Sequence, residues 1–178
     1  MEASDVQPWL FRVELFQGES LSHFLGRFRR ANNLTPTGLG KMAGLGGAIA
    51  RWEKFRFNPP PSPQQLEALA LVGVERERLQ EMLPPPGVGM KLEPIRLCGA
   101  CYAQSPCHRI EWQFKEMQGC DRHKLRLLSE CPNCGARFKI PALWMDGWCQ
   151  RCFMTFMDME KYQKLIKLLI SKSKKVKF

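Results

Sequence analysis

Four short knuckles in the second half of the chain carry its clearest chemistry: Cys98-x-x-Cys101, Cys120-x-x-His123, Cys131-x-x-Cys134 and Cys149-x-x-Cys152. Two ligands separated by two residues can close on one tetrahedral ion through a tight turn, and thiolate with imidazole is the donor set of structural zinc. The intervening residues suit such turns, as in Cys98-Gly99-Ala100-Cys101 and Cys131-Pro132-Asn133-Cys134-Gly135. Eight ligands make two structural Zn2+ sites of four protein donors each, with no coordination position left for the water that a catalytic zinc keeps. Cys107 and His108 have no partner at knuckle spacing. Cys107 is expected to be a small buried thiol and His108 a surface or hydrogen-bonded imidazole. His23 also stands alone and is expected at the surface.

The eight ligands can be shared in two ways. In a tandem arrangement, Cys98, Cys101, Cys120 and His123 hold one ion and Cys131, Cys134, Cys149 and Cys152 the other. In a cross-brace, knuckle one pairs with three and two with four, and the ligand order matches a RING domain. The seven-residue spacer Lys124 to Glu130 is long for a RING. It could form a turn of helix between separate modules, which favours the tandem arrangement.

The elements that must position these ligands follow from pattern and punctuation. Trp9, Phe11, Val13 and Leu15 alternate, as in a short strand or extended arm. Ser20 is a good N-cap for a helix running to about Ala31, with Leu21, Phe24, Leu25 and Phe28 on one face. Thr35 and Pro36 open a short helix of about Thr37 to Ala43. After the turn at Gly44, Gly46 and Gly47, a third helix should place Ile49, Trp52 and Phe55 inward and Arg51, Glu53 and Lys54 outward. Asn58-Pro59-Pro60-Pro61 stops it. Ser62-Pro63-Gln64-Gln65 reads as a capping box for a helix ending near Gly73, and a last helix spans about Glu75 to Leu83.

The expected fold is therefore mainly α. A helix-turn-helix-like helical domain (1–83) is followed by a Pro/Gly linker (84–95), tandem zinc-ribbon or zinc-finger modules (96–160) and a basic amphipathic C-terminal helix (161–178). In that last helix Tyr162, Leu165, Ile166 and Leu169 share a face.

Charge is distributed unevenly. The chain carries +10 overall, but residues 1–83 hold ten basic against nine acidic residues and residues 84–160 ten against eight. Residues 161–178 hold seven lysines and no acid. A nearly neutral body with a basic tail argues for local contact with nucleic acid rather than a broad binding face. The candidate contacts are Arg51 and Lys54 on the third helix and Lys172, Lys174, Lys175 and Lys177 in the tail. Neither a signal peptide nor a membrane-spanning run is present, so a cytoplasmic location with reduced thiols is expected.

Three stretches together resemble the TniQ family. They are Gly18-Glu19-Ser20-Leu21-Ser22-His23-Phe24-Leu25-Gly26-Arg27, then Arg96-Leu97-Cys98-Gly99-Ala100-Cys101 with Trp112, then Cys120-Asp121-Arg122-His123 with Leu127-Leu128 and Cys131-Pro132-Asn133-Cys134. The last is the most specific. The motifs occur in the family's order, and the short chain is similar to the minimal TniQ of CRISPR-associated transposons that use a single-subunit effector. The resemblance implies a bacterial, non-catalytic adaptor for target-site selection. Its partners would be an RNA-guided CRISPR effector with its guide RNA, the AAA+ ATPase TnsC, and target DNA. It implies no membrane and no small-molecule substrate.

Other classes fit less well. A zinc-containing helix-turn-helix transcription regulator is the alternative, although regulators of palindromic operators usually dimerise and no strong dimerisation helix is evident. A RING-type ubiquitin ligase conflicts with the long spacer and the helical first half. For an enzyme, neither paired carboxylates nor a nucleophile elbow appears. Gly38-Leu39-Gly40-Lys41 lacks the leading glycine and the trailing Ser/Thr of a phosphate loop.

Overall fold

A computed structural model describes residues 11–167 of the chain. Three of its helices, α1, α2 and α4, begin where a side chain satisfies a free N–H group of the first turn. α1 (Leu21–Ala31) starts at Ser20, whose hydroxyl accepts from the His23 N–H at 3.3 Å. α2 (Pro36–Met42) starts at Thr35, which accepts from the Gly38 N–H at 2.9 Å, with proline in the first turn. α4 (Pro63–Leu69) has a reciprocal capping box: Gln65 N–H donates to the Ser62 hydroxyl at 3.2 Å and Ser62 N–H to the Gln65 side chain at 2.9 Å. It continues as a 3-10 turn, Ala70–Val72, to Gly73 in the left-handed region. α3 (Ala48–Trp52) and α5 (Arg76–Glu81) are short. The turn between α2 and α3 needs glycine, because a Cβ on Gly40 would lie 2.0 Å from the Gly46 carbonyl oxygen. The apolar stripes of these helices close on a first core around Phe24, Phe28, Leu39, Ile49, Trp52 and Leu69.

The second half has less regular structure. α6 (Gly99–Gln104) leads to an antiparallel pair, β1 (Gly119–Cys120) and β2 (Leu125–Arg126), with Cys120 opposite Leu125. Three 3-10 turns, Ile110–Gln113, Pro141–Leu143 and Asp158–Tyr162, complete it. Its core gathers around Leu97, Tyr102, Trp112, Trp144, Phe156 and Met159. The fold is thus helix-rich with few strands. The later part of segment 84–95 packs on this half: Lys91 N–H donates to the Gln113 carbonyl and the Gln113 amide returns a bond to the Lys91 carbonyl, both at 2.7 Å.

Several expectations change, some because the two halves dock closely and others through ion pairs inside the first half. Phe55 is buried, but in the core of the cysteine half. It sits in the left-handed region at φ 58°, costly for a bulky residue, with its ring 5.5 Å from that of His108. α1 lies directly on the 141–143 turn, where a Cβ on Gly26 would be 2.2 Å from the Ala142 carbonyl oxygen. Arg30 donates to the Ala142 and Trp144 carbonyls at 2.6 and 2.8 Å, and Ala142 N–H donates to the Ser22 hydroxyl at 3.2 Å. Glu53 is not outward: it is 4% exposed and pairs with Arg29. His23 is not at the surface either. It is 2% exposed, with Nδ1 2.5 Å from Glu19 Oε1, which Arg27 also contacts.

The two ends also differ from expectation. Residues 11–16 form an extended arm without strand pairing, held by Asn32, which bonds the Phe11 N–H and carbonyl; Trp9 lies outside the described residues. The spacer after His123 is extended rather than helical, with Leu97 and Leu128 exchanging backbone bonds of 2.9 and 2.8 Å. The expected helix from Lys161 stops at Tyr162. Beyond it the chain runs along β2: Arg126 N–H donates to the Lys164 carbonyl at 2.7 Å and Ile166 N–H to the Lys124 carbonyl at 2.8 Å. Gln163 anchors this path, accepting from the Gly99 N–H and donating to the Arg126 carbonyl, both at 2.8 Å. Ladder bonds and the two-sided Gln163 clamp outweigh a short stripe of helical period. Leu169 lies outside the described residues.

His108 is fully enclosed where the halves meet, between the rings of Phe55, Trp112 and Trp144. Nδ1 is 2.9 Å from the Ser20 hydroxyl, while Nε2 has no hydrogen-bond partner among the described residues. Burial, then the neighbouring His23, holds its pKa well below the ordinary 6.5. The unfolded chain therefore binds a proton that the folded chain refuses. The stability from a neutral His108 is present above pH 6.5 and is lost as pH falls. Between pH 7.5 and 5.5 the loss should approach about 1.4 kcal/mol, with His23 adding in the same direction. Denaturant midpoints at the two pH values should show it, with metal content checked at each, and His108→Gln should flatten the slope. An unchanged slope in that variant would assign the pH dependence elsewhere.

Candidate metal centres

In the first centre, Cys98 and Cys101 come from the start of α6, Cys120 ends β1, and His123 lies in the turn before β2. Lys124, at φ 55°, reverses the chain and donates its N–H to the Cys120 carbonyl at 2.8 Å. The turn thereby brings His123 back over Cys120. His123 Nδ1 is 3.9, 3.3 and 3.5 Å from the sulfurs of Cys98, Cys101 and Cys120, and the Cys101 and Cys120 sulfurs are 3.4 Å apart.

In the second centre, two hairpins each offer two thiols. Cys131 and Cys134 lie on one, closed by Gly135 N–H donating to the Cys131 carbonyl at 2.8 Å with Gly135 at φ 69°. Cys149 and Cys152 lie on the other, where Phe153 N–H donates to the Cys149 carbonyl at 2.8 Å. Backbone bridges Glu130–Arg137 and Trp148–Thr155 hold the hairpins. The Cys131 and Cys152 sulfurs are 3.5 Å apart, and those of Cys134 and Cys149 3.6 Å.

These distances decide what the clusters can do. A disulfide needs sulfurs about 2.05 Å apart, and all eight cysteines are free. A tetrahedral ion with bonds of about 2.3 Å to sulfur and 2.0–2.1 Å to nitrogen places ligand atoms roughly 3.6–3.8 Å apart. Within each cluster all ligand atoms lie within 4.8 Å of one another. The grouping is sequential and not crossed, and each cluster can hold a metal ion. Burial pushes the Cys131 thiol up to about 12, which only a strong local cation would reverse; a metal deprotonates a coordinating thiol outright. Cys107 belongs to neither cluster. It is fully buried, its sulfur 3.8 Å from the Ser105 hydroxyl, and burial pushes its pKa up to about 11.

The other candidate residues are not brought together. Arg51 and Lys54 are exposed at the end of α3, without an ion pair among the described residues. Lys172, Lys174, Lys175 and Lys177 lie outside the described residues. Sequence reasoning missed a groove of about 300 Å³ beside the second centre, lined by Arg137, Lys139, Trp148, Gln150 and Arg151 over a floor of Trp144 and Phe156. The available signal was basic and aromatic residues interleaved with ligands.

The family model TniQ matches residues 10–127. The chain belongs to the TniQ family. TniQ proteins are non-catalytic adaptors associated with transposition, and the match spans α1 to α6 and the whole first centre. The second centre lies beyond the matched residues. A search of curated proteins gives no match. Among the described residues, no helix is long and apolar enough to cross a membrane.

Proposed function

We propose that this TniQ chain selects target sites in DNA transposition by linking an RNA-guided CRISPR effector, with its guide RNA, to the AAA+ ATPase TnsC on target DNA. The observation that carries this reading is the TniQ match over residues 10–127. The build of the protein supports it. Closed four-donor clusters have a mechanical role, fixing loops that would otherwise lack a sufficient core. Under this reading both ions are zinc, held by Cys98, Cys101, Cys120 and His123 and by Cys131, Cys134, Cys149 and Cys152. The docking of α1 on the 141–143 turn then makes the two halves one rigid bridge between partners. If α2 and α3 act as a helix-turn-helix, Arg51 on the five-residue α3 and Lys54 in the turn just after it are the groups offered to phosphates. With a balance of only +1 over residues 1–83, such contacts neutralise few phosphates and are weak and sequence-independent.

The test is guide-directed insertion reconstituted from purified transposase, ATPase, effector complex and donor DNA. Insertion at the guided site should be lost when this protein is omitted and restored when it is added back. Guided insertion at full efficiency without it would overturn the adaptor reading. A tight, base-specific operator selected by the isolated protein would instead favour a transcription regulator.

A further inference from the structure

The groove beside the second metal centre has a chemistry of its own. Arg137, Lys139 and Arg151 are exposed along it, and no acidic side chain lines it. None of the three forms an ion pair among the described residues; Arg151 reaches only the Cys134 carbonyl, at 3.5 Å. Asp146, nearby in sequence, is not part of the lining. Trp148 is 39% exposed at the groove wall, and its indole N–H has no partner among the described residues. Trp148 bridges to Thr155 across its hairpin and adjoins Cys149 of the second cluster. Phe153, 68% exposed, sits in the turn of the same hairpin.

We infer that this groove binds single-stranded nucleic acid, with a base stacking against Trp148 and the flanking phosphates held by Arg137, Lys139 and Arg151. Charge selects the occupant: three unpaired cations and no anion suit a polyanion. An exposed indole beside a recess suits an unstacked base, because aromatic faces accept any base and cations track the backbone. A duplex keeps its bases stacked and cannot enter such a recess. The strand's identity rests on the adaptor reading, in which effector RNA supplies unpaired segments; the groove itself does not depend on it, so plain oligonucleotides are the probe.

The experiment measures binding of the metal-loaded full chain to fluorescent 12-nucleotide oligo-U and oligo-A RNA and to a duplex of equal length, across salt concentrations. Metal content and unfolding midpoint are checked for every variant. Trp148→Ala should weaken single-strand binding about tenfold with little change in salt slope, while Trp148→Phe stays near the parent. Arg137→Ala with Arg151→Ala should lower the slope by about 1.4, at roughly 0.7 per phosphate. That pair removes no buried group, so it remains decisive if Trp148→Ala loses metal. The inference is overturned if Trp148→Ala binds within twofold of the parent, if the slope of the arginine pair is unchanged, or if the duplex binds as tightly as the single strand. It is equally overturned if the variants leave RNA binding intact and abolish co-migration with the ATPase, which would make the groove a protein interface. Guided insertion tests the adaptor reading separately, and either can fail alone.

Discussion

Elemental analysis of the purified protein should find two zinc ions per chain, and Cys131→Ser should reduce this to one while unfolding the second module. The expected effect is large because the second module has little else to hold it. Between Glu130 and Met157 the described backbone contains one short 3-10 turn and two isolated bridges. Four sulfurs, two buried and two half-buried, with pair separations of 3.5–3.6 Å, are crowded unless an ion lies between them. For small modules of this kind the binding free energy of a structural zinc is folding free energy, about 10 kcal/mol or more per site at neutral pH. That equals or exceeds the total stability of an ordinary domain. The damage should spread, since Phe138, Trp144 and Phe156 belong to the same core as Leu97 and Trp112. Near-ultraviolet circular dichroism should show the loss of fixed aromatic packing. Cys107→Ser should keep two ions, because its sulfur lies in neither cluster. A native protein with one ion or none, or loss of zinc from Cys107→Ser, would overturn the ligand assignment.

What could be read from the chain alone was what short stretches decide among themselves. Ser20, Thr35 and Ser62 cap their helices using N–H groups three positions away, and each knuckle spans only four residues. Positions set by contacts between residues distant in sequence could not be read in this way. Arg29 and Glu53 are separated by 24 residues and look like solvated charges on their own helices. His23 takes its environment from Glu19 and from Trp144, whose ring lies 6.1 Å away. At Tyr162, Leu165 and Ile166 the helical period was present, but Gln163 and the free edge of β2 took the backbone instead. Leu165 and Tyr162 are consequently left exposed, at 70% and 54%. The groove at Trp148 draws its lining from one stretch, residues 136–156, but the stretch becomes a recess only when its two hairpins fold against each other, which residue type and spacing do not announce.

Replacing Arg29 by methionine should cost about 3–5 kcal/mol, the range for leaving one member of a buried ion pair alone. The side chains of Arg29 and Glu53 are 10% and 5% exposed. Their contact is two-pronged, Nε to Oε1 at 2.5 Å and Nη2 to Oε2 at 3.0 Å. Arg29 also donates to the Leu34 carbonyl at 3.1 Å, while the Glu53 backbone carbonyl accepts from Ser22 at 2.6 Å. The pair thus ties α1, the α1–α2 turn and the end of α3 together. Burial already raises the Glu53 pKa, and Arg29 opposes that shift. With Arg29→Met the carboxyl must either stay ionised without its partner or take up a proton, so its pKa should rise further. The folded variant then binds more protons than the unfolded chain, and its stability gap from the parent should narrow as pH falls toward 5. Simple loss of packing would give a gap independent of pH. The double variant Arg29→Met with Glu53→Leu removes both charges and should recover most of the loss, giving a coupling energy of at least about 1 kcal/mol in a double-mutant cycle. Denaturant titrations of the four proteins at pH 7.5 and 5.5 measure all of this. A single-variant cost under about 1 kcal/mol, or a gap that does not change with pH, would show that the pair contributes no more than a surface contact.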